Sequence, residues 1–502
     1  MSTNSDKQWM NDVKAGLVVF LIALPLSLGI SIASGAPSTA GLISAIMGGL
    51  VGAYLGGSYV TINGPAAGLI VVVLSAIQSL SYGDPVQGFK RFLACVLVVG
   101  ALQVISGLLK AGRFAALFPT SVVHGMMTSI GLIIMIKQVH VLFGQKASGS
   151  IFNSVLQIPQ SIGNLNIHAT LLSALALVVL LSYPKLKMGF AKIIPAPLVV
   201  VLIGIGAAFL FTDIPLVKIP LDIREFLITP QFDMIFSRES ILAIFSLFFV
   251  ASLESILSAS AVDKLDTLQR ESDFNRELWS KGIVNMCCGL LGGLPIIAEI
   301  VRSSANIQQG AKTPLSNFSH SSFMLLFAAL FPASLNMIPL PVLAAILVLV
   351  GFRLGNPKQF KEMQQLGISS FLAFSTTILL TLAEDLLVGI AAGIVVKLVV
   401  SYFQGARMTM SPKYNVRKEG DQVFLDFEHS LAFFSALKQR EIINGVTDFQ
   451  SMEINLRNLQ FIDPTSMAII SRESVRMIKA GKKVVVHVPE KYAHVYHHIK
   501  AH

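Results

Sequence analysis

Charge is scarce in this 502-residue chain. Asp, Glu, Lys and Arg make up 13% of it, where a soluble domain carries about a quarter. With 53% hydrophobic residues and a mean hydropathy of +0.70, that shortage excludes a soluble globular chain and puts most of the residues in lipid. Cysteine is scarcer still. Cys95, Cys287 and Cys288 lie in apolar runs without CxxC spacing, so neither a metal site nor a disulfide framework is expected. Acidic residues number 28 against 38 Lys and Arg, a net charge of +10. A nucleic-acid binder needs a basic face on a soluble module. Here the excess sits in loops and a basic tail, and no nucleic-acid partner is expected. No nucleophile–base set, metal cluster or nucleotide loop is visible, so no enzyme activity, cofactor or metal is expected.

What the chain has in abundance is apolar length. Runs of about 20 residues, enough to cross a bilayer, recur from Asp12 to Tyr402. They read as about fourteen segments: 12–34, 38–56, 59–80, 89–109, 114–143, 168–183, 194–212, 238–261, 279–295, 297–310, 318–335, 337–352, 368–384 and 385–404. The 144–166 stretch reads as an interfacial loop with a weak amphipathic piece. The first apolar run carries only one basic residue, Lys14, at its start, and many runs follow it, so a cleaved signal peptide is not expected. With the N-terminus in the cytoplasm, Lys110, Arg113, Lys185, Lys187, Lys192, Lys264, Arg270, Arg276, Lys281, Lys312, Arg353, Lys358 and Lys361 fall inside, and the outer loops hold fewer basic residues. The expectation is an integral protein of the plasma (inner) membrane with both termini cytoplasmic.

Near Met408 the pattern changes. Residues 422–434 read as strand, 435–444 as helix, 451–462 as a second strand region, 464–481 as a helix with Pro464 at its start, 482–488 as a buried strand and 490–500 as a last helix. Strands alternating with helices predict a small α/β domain over 409–502. The closing "HHIKAH" reads as a fraying helix end rather than a metal-binding tract. Residues 1–405 form the membrane part, in two comparable halves, about 12–212 and 238–404.

Each half has a polar, interrupted third segment: "YVTINGPAAGLI" (59–70) and "GGLPIIAEIVRSSANI" (292–307). Matching breaks in two halves point to a transporter substrate site. In lipid a break is tolerated only against protein or a water-filled cavity. Pro65 suits the first helical position, and the free N–H groups beyond it, with the positive helix end, favour an anion. The small residues Ala66, Ala67 and Gly68 let a ligand approach the backbone. In the second break Pro295 leads into a helix with Glu299, Arg302, Ser303 and Ser304 in its early positions. Two half-helices meeting N-terminus to N-terminus would hold a small anion, with Arg302 adding a full charge. Kinked helices packed through small residues are the competing reading. Glu254 lies in an apolar span with Ser258 on the same helix face. Desolvation there favours the protonated form, so Glu254 can load and release a proton. A Na⁺ site made by Glu254 and Ser258 is the rival. Glu299 and Arg302, three residues apart, either pair with each other or leave Glu299 as a second protonatable group.

The run of motifs "LVVFLIALPLSLGISIASG", "VTINGPAAG", "LESILSA", "NRELWSKGIVNMCCGLLGGLP" and "IVRSSANIQQGAKTPLS", followed by the C-terminal domain, resembles the sulfate permease (SulP) anion transporters. The resemblance covers nearly the whole chain. It implies a polytopic α-helical membrane protein of fourteen spans in two inverted seven-span repeats, with core and gate domains. It also implies an elevator-like motion, a homodimer and a cytoplasmic STAS domain. It implies an anion site bordered by Pro25, Ser27 and Ile30 of a broken first span, by Ala66 and Ala67, by Glu254 and Ser258, and by Val301, Arg302 and Ser303. Glu299 stands where many relatives carry a small or hydroxyl residue. The acid of the eighth span is Asp in sodium-coupled bicarbonate relatives and Glu in proton-coupled ones, so Glu254 favours protons. "FIDPTSM" (461–467) is similar to the loop that carries a phosphorylatable Ser or Thr in bacterial STAS proteins. Its proline argues against phosphorylation at Thr465 or Ser466 and for a docking role in the dimer. The expected function is secondary active transport of a small inorganic anion, bicarbonate or sulfate, by proton symport. The alternatives are sodium-coupled bicarbonate symport, an uncoupled anion exchanger or channel, and an anion sensor with the STAS domain as output.

Overall fold

A computed structural model describes residues 2–113, 118–146, 151–185, 194–407, 409–447 and 449–501. Among these, seven helices are long and apolar enough to cross a membrane, and shorter apolar helices accompany them. The chain divides into two units, residues 1–112 with 130–354 and residues 113–129 with 355–502. Met408, Lys187, Lys192, His502 and the side chains of His497 and His498 lie outside the described residues.

The first unit runs through α1 (Ser2–Ala33), α2 (Ser38–Leu50), the short α3 (Gly52–Leu55), strand β1 (Ile62–Pro65), α4 (Ile70–Ser81) and α5 (Pro85–Leu108). Most of α6 (Thr120–Leu142) follows, then α7 (Ile151–Gly163), α8 (Ile167–Ser182), α9 (Ala196–Leu210), α10 (Arg238–Leu265) and α11 (Phe274–Leu291). Strand β2 (Ile296–Glu299), α12 (Ile300–Gln308), α13 (Leu315–Leu330), α14 (Pro332–Leu335) and α15 (Leu340–Leu354) complete it. Local chemistry sets many of these boundaries. Asp84 accepts from the Val86 and Gln87 N–H groups ahead of α5, whose first residue is Pro85. Ser237 caps α10 through the Ser240 N–H, and Asp273 caps α11 through Asn275 and Arg276. Gly292, at φ 91°, ends α11 in the left-handed region open to glycine.

Packing in this unit is close and apolar. Leu28 of α1, Leu42 and Ala45 of α2, Met324 of α13 and Val342 of α15 share one fully buried cluster. At the α1–α2 crossing a Cβ on Gly41 would stand 2.9 Å from the Ser27 carbonyl carbon, so only glycine allows this approach. The NRELWSK motif is a structural clasp. The Glu277 carboxylate accepts from the Gly57 N–H at 2.9 Å and pairs with Lys281, both side chains being 1% exposed. Arg276 donates to the Tyr54 and Leu55 carbonyls.

Three sequence expectations change here. The first span is one continuous helix with Pro25 inside it, not a broken one. Each polar break is a four-residue strand before its helix, which the sequence reading missed. Pro65 is not the first helical residue. It ends β1, Ala66 is extended at φ −99° and ψ 138°, and a 3₁₀ turn over Ala67–Leu69 precedes α4. Proline fits because a strand residue facing away from the ladder needs no N–H.

The second unit holds the start of α6, then α16 (Lys358–Gln365), α17 (Ile368–Ala383) and α18 (Leu386–Phe403), with Asp385 capping α18 through Val388. The α/β domain follows: β3 (Lys413–Glu419), β4 (Gln422–Leu431), α19 (Ala436–Gly445), β5 (Ser451–Asn455), β6 (Leu459–Ile462), α20 (Pro464–Lys479), β7 (Lys483–His487) and α21 (Glu490–Ala501). β4 is central, antiparallel to β3 and parallel to β5 and β6, and β5 is parallel to β7. Parallel neighbours need crossovers, which α19 and α20 supply. Val423, Leu425 and Phe427 alternate along β4 into a core with Ile443, Ile454 and Ile470. The fully exposed β3 was missed by the sequence reading, and its second strand region is two strands. Asp463 caps α20 through the Thr465 N–H and pairs with Lys397 of α18 at 2.8 Å, both buried. Ser369 and Ser370 of α17 accept the remaining Lys397 N–H donors. Thr465 and Ser466 are buried, and Ser466 accepts from Gln439.

Candidate functional site

The two breaks meet. β1 and β2 pair antiparallel with Ile62 opposite Glu299, Asn63 opposite Ala298, Gly64 opposite Ile297 and Pro65 opposite Ile296. Backbone polar groups that a helix would have satisfied are paired across this ladder instead. The register puts the exit of β1 at one end and the exit of β2 at the other. The helical starts at Ala67 and Ile300 therefore lie at opposite ends of a ladder on the order of 10 Å long, with their positive ends turned inward.

Arg302 is fully buried in the first turn of α12. Its guanidinium reaches the first break: Nη2 is 3.5 Å from the Pro65 carbonyl, and a Cβ on Gly64 would fall on Nη1. Nε and Nη1 have no hydrogen-bond partner. Glu254 of α10 is 7% exposed. Its carboxyl lies on Gly68, where a Cβ would stand 2.5 Å from the carboxyl carbon, and Oε2 has no partner. At the paired breaks, Gly64 and Gly68 are thus points where a bare backbone seats an ionisable side chain. Glu299 is the N-cap residue of α12 without a side-chain cap. Its Oε1 is unpartnered, and among the described residues no ion pair joins it to Arg302. Glu299 lies within electrostatic reach of both Glu254 and Arg302.

The remaining candidates fall around these. Ser27 and Ile30 are buried on α1, which packs on β1, α4 and α12, and the Ser27 hydroxyl is unpartnered. Ala66 and Gly68 are buried at the start of the first half-helix. Ser258 is buried one turn from Glu254, and the intervening Ser255 hydroxyl is unpartnered. Two candidates stand differently. Val301 is 42% exposed, outside the packed interior that holds Arg302. The Ser303 hydroxyl accepts from the Ile62 N–H at 2.8 Å and donates to the Glu299 carbonyl at 2.5 Å. Its donor is committed to holding β1 against α12.

Several residues were missed by the sequence reading. Asn306 donates to the Val60 carbonyl and to Ser316 and Ser44 donates to the Leu294 carbonyl, while Asn63, whose place in the first break was visible, donates to the Gly48 carbonyl. Asn285 accepts from the Ile296 N–H. His320 is fully buried with both ring nitrogens unpartnered. The available signal was an amide or imidazole in the middle of an apolar segment, where a polar side chain must have a task.

Residues 9–377 match the sulfate permease family. The chain is 30% identical over 427 residues to the bicarbonate transporter BicA of Picosynechococcus sp., covering 82% of this chain and 74% of that one. It is 28% identical over 407 residues to the putative sulfate transporter YvdB of Bacillus subtilis, covering 78% and 73%. Among solved structures, the transmembrane domain of a cyanobacterium bicarbonate transporter BicA superposes with a TM-score of 0.66 at 26% identity, over 77% of this chain and 97% of that one. SLC26A9 superposes with a TM-score of 0.69 at 15% identity, over 99% and 86%, a likeness of fold. With a match that extends through both breaks and the ladder between them, the chain belongs to the sulfate permease family.

Proposed function

We propose that the chain is a proton-coupled symporter of a small inorganic anion of the bicarbonate or sulfate class. An anion transporter is the coarse function of the family. The substrate class rests on relatives named as bicarbonate and sulfate transporters. The observation that carries the finer reading is a group of buried, unpartnered polar atoms at the paired breaks: Arg302 Nε and Nη1, Glu254 Oε2, Glu299 Oε1 and the Ser27 hydroxyl. Polar atoms buried without partners are costly. A small anion between the inward-facing helix starts would satisfy the Arg302 donors and lie in the field of both dipoles. Ser27, Ile30, Ala66, Ala67 and Gly68 would wall the site, with Val301 and Ser303 contributing from α12, Ser303 through the backbone it holds.

Glu254 is the coupling group in this reading. No cation pairs with it among the described residues, so its charge is uncompensated unless a proton or another cation accompanies it. Glu299, close enough to feel Glu254, is a second candidate carrier. Sodium coupling through Glu254 and Ser258 is the rival, favoured by the unpartnered Ser255 hydroxyl on the same stretch of α10. The ladder and its flanking helices would move as a core past a gate, as a homodimer in the plasma (inner) membrane. In this reading both termini and the STAS domain of residues 409–502 are cytoplasmic, and residues 1–405 form the transport domain.

The test is Glu254→Gln in proteoliposomes. The variant should lose uphill uptake of labelled bicarbonate or sulfate under an inward proton gradient, yet still exchange the anion at equal concentrations. Unchanged uphill uptake by the variant would remove Glu254 from coupling.

A further inference from the structure

A chain of side-chain hydrogen bonds runs from the helix that carries Glu254 to the strand that leads into Arg302. Ser252, two residues before Glu254, accepts from Gln103 Nε2 at 3.1 Å. Gln103 Oε1 accepts from Asn285 Nδ2 at 2.7 Å. Asn285 Oδ1 accepts from the Ile296 N–H at 2.6 Å, and Ile296 is the residue of β2 opposite Pro65. Gln103 and Asn285 are fully buried and Ser252 is 8% exposed.

The local sequence brings the two amides together. Gly100 of α5 and Gly282 of α11 lie against each other's backbone: a Cβ on Gly100 would stand 2.6 Å from the Gly282 carbonyl oxygen, and one on Gly282 2.5 Å from the Gly100 oxygen. Such a crossing needs two small residues. α5 and α11 run antiparallel, with Gly107 beside Trp279 and Gly289 beside Leu97, so Gln103 and Asn285 flank the glycine contact from opposite sides and their side chains reach along it to meet. At this depth apolar side chains would fill the same space without any polar atom to satisfy. The chain instead keeps two amides and a hydroxyl, and each amide is bonded at both its nitrogen and its oxygen.

We propose that Gln103 and Asn285 are positioning residues of the anion site, holding α10 and β2 in register so that Glu254 and Arg302 face the anion together. The inference rests on the transport reading above. A purely structural role would be confined to the ladder, and a positioning role must also show at the α10 end.

Two variants separate these. Gln103→Met breaks both of its bonds. It should speed backbone hydrogen exchange in residues 294–299 of the full-length protein, and raise KM for labelled sulfate or bicarbonate uptake roughly 3- to 10-fold, the scale of one buried hydrogen bond, with Vmax little changed. Ser252→Ala leaves Asn285 on the Ile296 N–H and cuts only the tie to α10. It should raise KM over the same range while exchange in 294–299 stays at the wild-type rate. If Ser252→Ala transports with the wild-type KM, or if Gln103→Met leaves both exchange and KM unmoved, the positioning role falls while the transport reading stands. If wild-type vesicles take up neither anion, the transport reading falls and this inference with it.

Discussion

Replacing Gly68 by alanine adds one methyl group at the point where the Glu254 carboxyl rests. The new carbon would lie 2.5 Å from the carboxyl carbon, where an ordinary carbon–carbon contact is about 3.5–4.0 Å. The carboxyl must therefore retreat by about 1 Å. It sits at the end of a flexible side chain, so the retreat costs the fold little, within the ~1–3 kcal/mol of ordinary overpacking. The site is less tolerant: a functional group misplaced by about 1 Å can lose on the order of 10²-fold. Gly68→Ala should thus melt near the wild-type temperature in detergent and lose on the order of 10²-fold in gradient-driven uptake. Gly48→Ala is the control with the opposite pattern. Its methyl group would press within 2.6 Å of the Asn63 carbonyl oxygen, a backbone atom of the ladder that cannot swing away, so it should lower the melting temperature. Gly68→Ala with wild-type uptake and pH dependence would refute the placement of Glu254 at the working site.

Arg302→Gln should weaken the anion by roughly 10- to 100-fold in KM, the scale of one lost charge-assisted hydrogen bond, while Arg302→Lys recovers only part because a point charge cannot reproduce the guanidinium fork; equal KM in Arg302→Gln would remove Arg302 from binding. Lys397→Met leaves the buried Asp463 carboxylate without its cation and should cost ~3–5 kcal/mol, read as a lower melting temperature. Lys397→Met with Asp463→Asn should recover much of that loss, and a double variant as unstable as the single one would show that the pair is not coupled. Ser303→Ala should loosen β1 from α12, seen as faster hydrogen exchange at Ile62, and an unchanged rate there would contradict the clamp.

The spans were legible because length and apolarity alone decide them. Each of the fourteen predicted segments corresponds to a helix, to a helix followed by a short one-turn helix (38–56 and 318–335), or to a strand followed by a helix, and the amphipathic piece within 144–166 is α7. The breaks were legible as well, since Asn63, Gly64 and Pro65 have no place in a lipid-facing helix. The ladder was not, because four residues are too few for a strand period and pairing between residues 62 and 299 leaves no local trace. Pro65 was misread for a related reason: proline suits both a helix start and a strand edge, and only the partner strand decides. Glu254 and Arg302 stood out as charges within apolar segments, but their seats on Gly68 and Gly64 come from tertiary approach. Asn285, Gln103 and Asn306 were visible as polar residues in spans, without any sign of which backbone group each would hold. β3 escaped because it is exposed throughout and carries no apolar alternation.

The most direct test of coupled anion transport is uptake of labelled bicarbonate and of sulfate into proteoliposomes of the full chain, with an inward proton gradient, an inward sodium gradient, or neither. The expected result is accumulation of one of the two anions above its external concentration under the proton gradient alone. Accumulation driven only by sodium, or equilibration without accumulation under every gradient, would contradict it.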